Sequence, residues 1–100
     1  MKVVWSLLAE QRALEAVDYI ARDRPEGAET WLEALIERVA KLDRLARRGR
    51  SVPEIGRPTH REIFHAPYRV IYRLDAAQIV VLALRHWRRS WDPSEVDDGA

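Results

Sequence analysis

A chain of 100 residues, 47% hydrophobic and 33% charged, suits one small domain and carries too many charges for a membrane protein; its longest apolar run, Ile79 to Leu84, is far shorter than the roughly 20 residues of a membrane helix. It has no cysteine, which excludes disulfides and thiolate metal sites, and its first residues lack the apolar stretch and cleavage site of a secretory signal, so a cytoplasmic location is expected. The formal net charge of +1 makes no case for nucleic acid through bulk field, but the charges are unevenly spread: Arg44, Arg47, Arg48 and Arg50 form one basic cluster, Arg85, Arg88 and Arg89 another, while acids gather between Glu10 and Glu37 and in the tail.

Lys2 to Trp5 is β-branched and aromatic and reads as a strand. Ser6 offers an N-cap oxygen to a helix running to about Arg22, with Leu7, Leu14, Val17, Ile20 and Ala21 as its apolar stripe. Asp23-Arg24-Pro25-Glu26 restarts a helix, with Asp23 as the capping acid and Pro25 in the first turn. Leu32, Leu35, Ile36, Val39, Leu42 and Leu45 recur at helical spacing along that second helix, which is expected to end near Gly49, the Arg44 to Arg50 charges complementing its dipole. Glu37 and Lys41 are placed for a surface ion pair.

Pro53, Gly56 and Pro58 argue against regular structure from Ser51 to Thr59. Strands follow at His60 to His65, Tyr68 to Leu74 and Gln78 to Arg85, joined by turns at Ala66-Pro67 and Asp75-Ala76-Ala77. Two helices in succession must bury their joint stripe on one sheet face, so the fold class is α+β: an N-terminal strand, an αα-hairpin and a three-stranded antiparallel meander in one small sheet. Alternation puts Tyr68, Val70, Tyr72 and Leu74 under the helices and leaves Arg69, Ile71 and Arg73 on an open face. The last strand is apolar at both parities, as a central strand is, and the first strand should pair with its far edge. One domain is expected over residues 1–92, followed by a frayed acidic tail, 93–100. Trp5, Trp31, Tyr68 and Tyr72 read as packing residues.

The chemistry-bearing feature is the ending Arg85-His86-Trp87-Arg88-Arg89, a cationic and aromatic lip that suits an anionic or acidic partner. Arg69 serves either as a functional cation or as counter-charge to Glu62 on the neighbouring strand. Trp87 and Trp91 serve either as a docking surface or as the tail folded back on the sheet. His60, His65 and His86 lack ligand spacing, so no metal is expected, and no other cofactor is called for.

Val4-Trp5-Ser6, Ala28 with Trp31 to Leu35, Gly49-Arg50-Ser51-Val52-Pro53-Glu54, Arg61-Glu62, Pro67-Tyr68-Arg69-Val70-Ile71-Tyr72-Arg73 and His86-Trp87-Arg88-Arg89, in that order, resemble the RelE/ParE superfamily of type II toxins. The resemblance covers nearly the whole chain. It implies a toxin silenced by a cognate antitoxin and touching DNA only through the antitoxin complex. Two activities are implied. In a RelE-like ribosome-dependent mRNA endoribonuclease, Arg69 and Arg88 would stabilise phosphate charge and His65 would be the candidate base. The second strand is not lysine-rich and no tyrosine follows Arg88, whereas the Arg61-Glu62 pair, the Pro-Tyr-Arg turn and the His-x-Arg-Arg ending look more like ParE, an inhibitor of DNA gyrase that works by protein binding. On that resemblance the target- or antitoxin-binding residues are Arg61, Arg69, Arg73, His86, Trp87, Arg88, Arg89 and Trp91.

Overall fold

The computed structural model describes residues 1–89. Trp91 and the acidic tail expected at 93–100 lie outside the described residues. The elements are β1 (Lys2–Trp5), α1 (Leu7–Asp23), α2 (Pro25–Ala40), a 3-10 turn (Lys41–Asp43), β2 (Arg50–Ser51), β3 (His60–His65), β4 (Tyr68–Leu74) and β5 (Gln78–His86). They form one open sheet in the order β1-β5-β4-β3-β2, with the two helices packed on one face, an α+β fold as expected. β1 runs parallel to β5, Lys2 to Trp5 facing Gln78 to Val81, and the remaining pairings are antiparallel. No described helix is long and apolar enough to cross a membrane.

Ser6 begins α1 and also ties it to the sheet. Its hydroxyl oxygen accepts from the Ala9 amide at 3.0 Å and donates to the Leu82 carbonyl at 3.1 Å, so one buried side chain serves a helix end and a strand. Ser6→Ala is expected to cost about 1 to 2 kcal/mol, read as a fall of roughly 4 to 16 °C in the thermal midpoint.

The buried face of α1 differs from the predicted stripe. Ala9, Ala13, Ala16 and Ile20 meet the sheet, while Leu7 and Leu14 point to solvent. Small side chains let the helix backbone approach β5 closely, and a hydrophobicity pattern weighted by size misses them. Asp23 belongs to α1 rather than capping α2; Arg24 alone links the helices, donating its amide to Ile20 while its carbonyl accepts from Gly27 and Ala28. α2 ends at Ala40, not near Gly49, so the Arg44 to Arg50 cluster lies beyond the helix and does not complement its C-terminus. Leu35, Val39 and Leu42 are buried, Ile36 and Leu45 are exposed, and the expected Glu37–Lys41 pair forms at 3.7 Å.

Tyr68, Val70, Tyr72 and Leu74 face the helices, with Trp5 and Trp31 packed against the same core. The other face is not open as predicted. Ile71, Val80, Leu82 and Ala83 lie under Val52 and Ile55 of the 51–59 loop, which also contributes the short strand β2 where no regular structure was expected. A register shift passes from Ile71 opposite Ala83 to Tyr72 opposite Val81, so Leu82 is the extra residue of a bulge. Ile79, Val81 and Leu84 accordingly face the helices, while Leu82 and Ala83 both join the second core. β5 is apolar at both parities because both of its faces are buried, one under the helices and the other under the 51–59 loop.

Candidate functional site

The Gly49 to Ile55 segment runs alongside β3 and brings Glu54 to the end of β4. Glu62 on β3 is 4% exposed and accepts from Arg50 Nε at 2.6 Å and from Arg69 Nε at 2.8 Å. The rest of the Arg69 guanidinium forms a bidentate pair with Glu54, each contact at 2.7 Å. Arg69 therefore sits between two carboxylates with its side chain only 12% exposed. The hydrogen bond from Arg69 is the main reason that the Glu54 carboxyl is held below its ordinary range; in return Glu54, followed by Glu62, raises the Arg69 pKa further.

Around this network opens a groove of about 400 Å³ whose walls include Pro53, Phe64 and Trp87. Phe64 and Trp87 are half exposed. The turn that carries Trp87 is fixed by its amide, which donates to the Pro67 carbonyl at 2.9 Å, and the Arg88 guanidinium lies 4.9 Å from the centre of the Trp87 ring. Two apolar rings beside a neutralised ion network, edged by one stacked cation, make a surface suited to protein contact: the rings supply area at low conformational cost and the charges supply orientation.

Arg69, Trp87 and Arg88 of the predicted site residues thus come together; Arg61, Arg73, His65, His86 and Arg89 lie elsewhere, and Trp91 lies outside the described residues. Arg61 Nη1 donates to the carbonyls of Gly49 at 2.8 Å and Arg47 at 3.4 Å. Arg73 forms a bidentate pair with Asp75, which lowers the Asp75 pKa, at the far end of β4. His65 packs against Trp31 on the helix side with its Nε2 at 3.2 Å from the Trp31 carbonyl, and burial lowers its pKa. His86 and Arg89 line a second groove, between α1 and β5. Among the described residues no group of three or more His, Asp or Glu is placed to hold a metal ion. Glu54 and Phe64 were missed by sequence reasoning. Phe64 carried a signal, being the outward member of the alternating His60 to His65 strand; Glu54 carried none, because loop geometry alone brings it to Arg69.

A model of the family described as ParE toxin of type II toxin-antitoxin system, parDE, matches residues 3–91. A search of curated proteins returns no match. Among solved structures, a chain of the chromosomal ParDE toxin-antitoxin system from P. aeruginosa superposes with a TM-score of 0.72 at 21% identity, covering 86% of this chain and 95% of that one. At that identity the likeness speaks for the fold alone, and it agrees with the strand, helix pair and meander described above. The family match extends from β1 past the Trp87–Arg88 turn and so takes in the whole described sheet, the helix pair and the ion network. This chain belongs to the ParE toxin family of type II toxin-antitoxin systems.

Proposed function

We propose that this toxin inhibits DNA gyrase by binding it, through the surface built from Phe64, Trp87 and Arg88, and that a cognate antitoxin silences it by covering that surface. Membership of a toxin-antitoxin family implies the antitoxin partner. The observation that carries the reading is the state of Arg69. A nuclease needs its best-placed cation available to the scissile phosphate. Here that cation is held by Glu54 and Glu62 at hydrogen-bond distance, and a phosphate would have to displace a bidentate carboxylate to reach it. His65, the candidate base, is engaged with a backbone carbonyl and lines a different groove with Arg38 and Arg48. Both facts favour binding over cleavage.

The test is a supercoiling assay of gyrase on relaxed plasmid with purified toxin, with and without the product of the neighbouring gene. Inhibition reversed by that product is the expected result. No inhibition at stoichiometric excess of folded toxin would sink the reading and turn attention to cleavage of ribosome-bound mRNA. Trp87→Ala is expected to weaken inhibition about five- to thirtyfold, a loss of about 1 to 2 kcal/mol in binding, while the urea midpoint stays within error because the ring is half exposed.

A further inference from the structure

The basic stretch that closes α2 and runs on to β2 has no use in the gyrase reading. Between Arg38 and Arg50 the chain places six cations, Arg38, Lys41, Arg44, Arg47, Arg48 and Arg50, and one carboxylate, Asp43. Because α2 ends at Ala40, most of them stand beyond the helix and its dipole does not account for them. Arg50 is taken up by the buried Glu62. The other five are exposed and weakly neutralised. Lys41 meets Glu37 at 3.7 Å and Arg44 meets Asp43 at 3.8 Å, both on the open surface, where such pairs exchange readily for another anion. The Arg38 guanidinium donates to the Phe64 carbonyl at 2.6 Å, which supplies no countercharge. Arg47 and Arg48 have no carboxylate partner among the described residues.

The backbone that carries these cations is held in place. Leu42 is buried, and the carbonyls of Ala46, Arg47 and Gly49 accept from Tyr72 and Arg61 of the sheet. A ridge fixed in one shape has little left to order on meeting a rigid partner. Three of its cations, Arg38, Lys41 and Arg48, share a groove of about 410 Å³ between α2 and β3.

Concentrated positive charge calls for a polyanion, and the side chains present and missing say which. In the groove Leu42 and Ile63 are buried, which leaves only Ala34 and Leu45 as exposed apolar walls, less than the apolar centre of a protein interface. From 38 to 50 there is no aromatic ring on which the bases of a single strand could stack, and no Ser, Thr, Asn or Gln to meet a ribose 2′-hydroxyl. Guanidinium forks suit phosphate oxygens, which duplex DNA presents at one charge per about 1.7 Å of axis. We propose that the ridge from Arg38 to Arg48 binds the phosphate backbone of duplex DNA without reading its sequence, with Arg47 and Arg48 as its strongest contacts. The toxin then brings a direct DNA contact to any complex it joins, beside the indirect one that the family resemblance implied. The proposal is independent of whether gyrase is the target.

The test is fluorescence anisotropy of a labelled duplex of about 20 base pairs titrated with the full-length toxin from about 50 to 200 mM salt. Two duplexes of unrelated sequence should bind alike, with a slope of log affinity against log salt of about −4, the value for four to five neutralised phosphates. Arg47→Gln with Arg48→Gln should lower that slope by about 2 and the affinity at least tenfold, on the order expected for two lost phosphate contacts. The urea midpoint should not move, because both side chains are exposed. Arg22→Gln with Arg24→Gln removes the same charge at the other end of α2, about 24 Å away, and should change affinity less than twofold. Equal losses in the two double variants would overturn the proposal, since they would leave only net charge to explain binding. So would tighter binding to a polyglutamate of equal charge, to single-stranded DNA or to duplex RNA, each of which would give the ridge a different partner.

Discussion

Arg69→Met is expected to lower stability by about 3 to 5 kcal/mol, measured by urea denaturation at pH 7. Removing one member of a buried ion network leaves charge behind in a place water does not reach, and the cost is that of the orphan rather than of the lost attraction. The orphan here is Glu62, 4% exposed, which keeps only the mostly exposed Arg50 of its two guanidinium partners. Adding Glu62→Met to Arg69→Met removes the orphan, and the double variant should regain most of the loss. If the single variant is as stable as the wild type, the network is ornamental and Arg69 is available for other duties. If it is destabilised as expected, a toxicity defect in an Arg69 variant reports folding first, and no chemical role can be read from it without a stability measurement alongside.

The same network sets a pH dependence. The Glu54 carboxyl is depressed below its ordinary value of 4.5, so its contribution is fully present above the unfolded pKa and is lost as pH falls through the lower folded value. Between pH 5 and 7 this pair should leave the urea midpoint flat. Below about pH 4.5 the wild type should lose stability more steeply than Arg69→Met, in which Glu54 keeps only the weaker field of Arg50 to hold its proton off.

Gly49→Ala is the second large effect, expected to cost about 3 kcal/mol. A Cβ at this position would stand 2.5 Å from the Tyr72 hydroxyl and 2.6 Å from the Glu62 carbonyl oxygen, and the latter belongs to the sheet backbone and has little room to move. The requirement is close approach: Gly49 donates its amide to the Tyr72 hydroxyl at 3.0 Å, and that hydroxyl donates onward to the Ala46 carbonyl at 2.7 Å. Tyr72→Phe removes one of the two clashes along with both hydrogen bonds. The double variant should therefore be less destabilised than the sum of the singles, a coupling that thermal denaturation of all four proteins would reveal. Strict additivity would mean that the segment simply moves away from the sheet.

The strands and the helix pair were legible because their patterns are local. Lys2 to Trp5 and the meander are runs rich in β-branched and aromatic residues, the meander's bounded by turn residues, and their bounds in the fold differ from the expected ones by a residue at most. The stretch after Ala40 was not legible. Lys41 to Arg48 has good helix formers, yet the carbonyls of Ala46 and Arg47, and of Gly49 just beyond, are satisfied from the sheet: Ala46 by Tyr72, Arg47 and Gly49 by Arg61. Those bonds join residues a dozen or more positions apart, and helix propensity yields to them. The Arg69–Glu62 pairing was readable from adjacent strands. Glu54 closing on Arg69, and Arg12 of α1 crowding Arg85 of β5, depend on tertiary paths that no periodicity records.

The parallel pairing of β1 with β5 has a consequence for how the protein is made. The Ser6 hydroxyl finds its acceptor in Leu82, 76 residues later, and Lys2 to Trp5 have no strand to join until Gln78 to Val81 exist. During synthesis the helix pair can form early, but the sheet it covers is closed by one of the last strands to be translated, and contacts of such long range are slow to form. The Trp87–Arg88 turn follows that strand. A ribosome that stops short of β5 releases a chain with neither a finished sheet nor the surface proposed to bind, so translation itself delays the moment at which a toxin can act and gives an antitoxin already present the time to meet it.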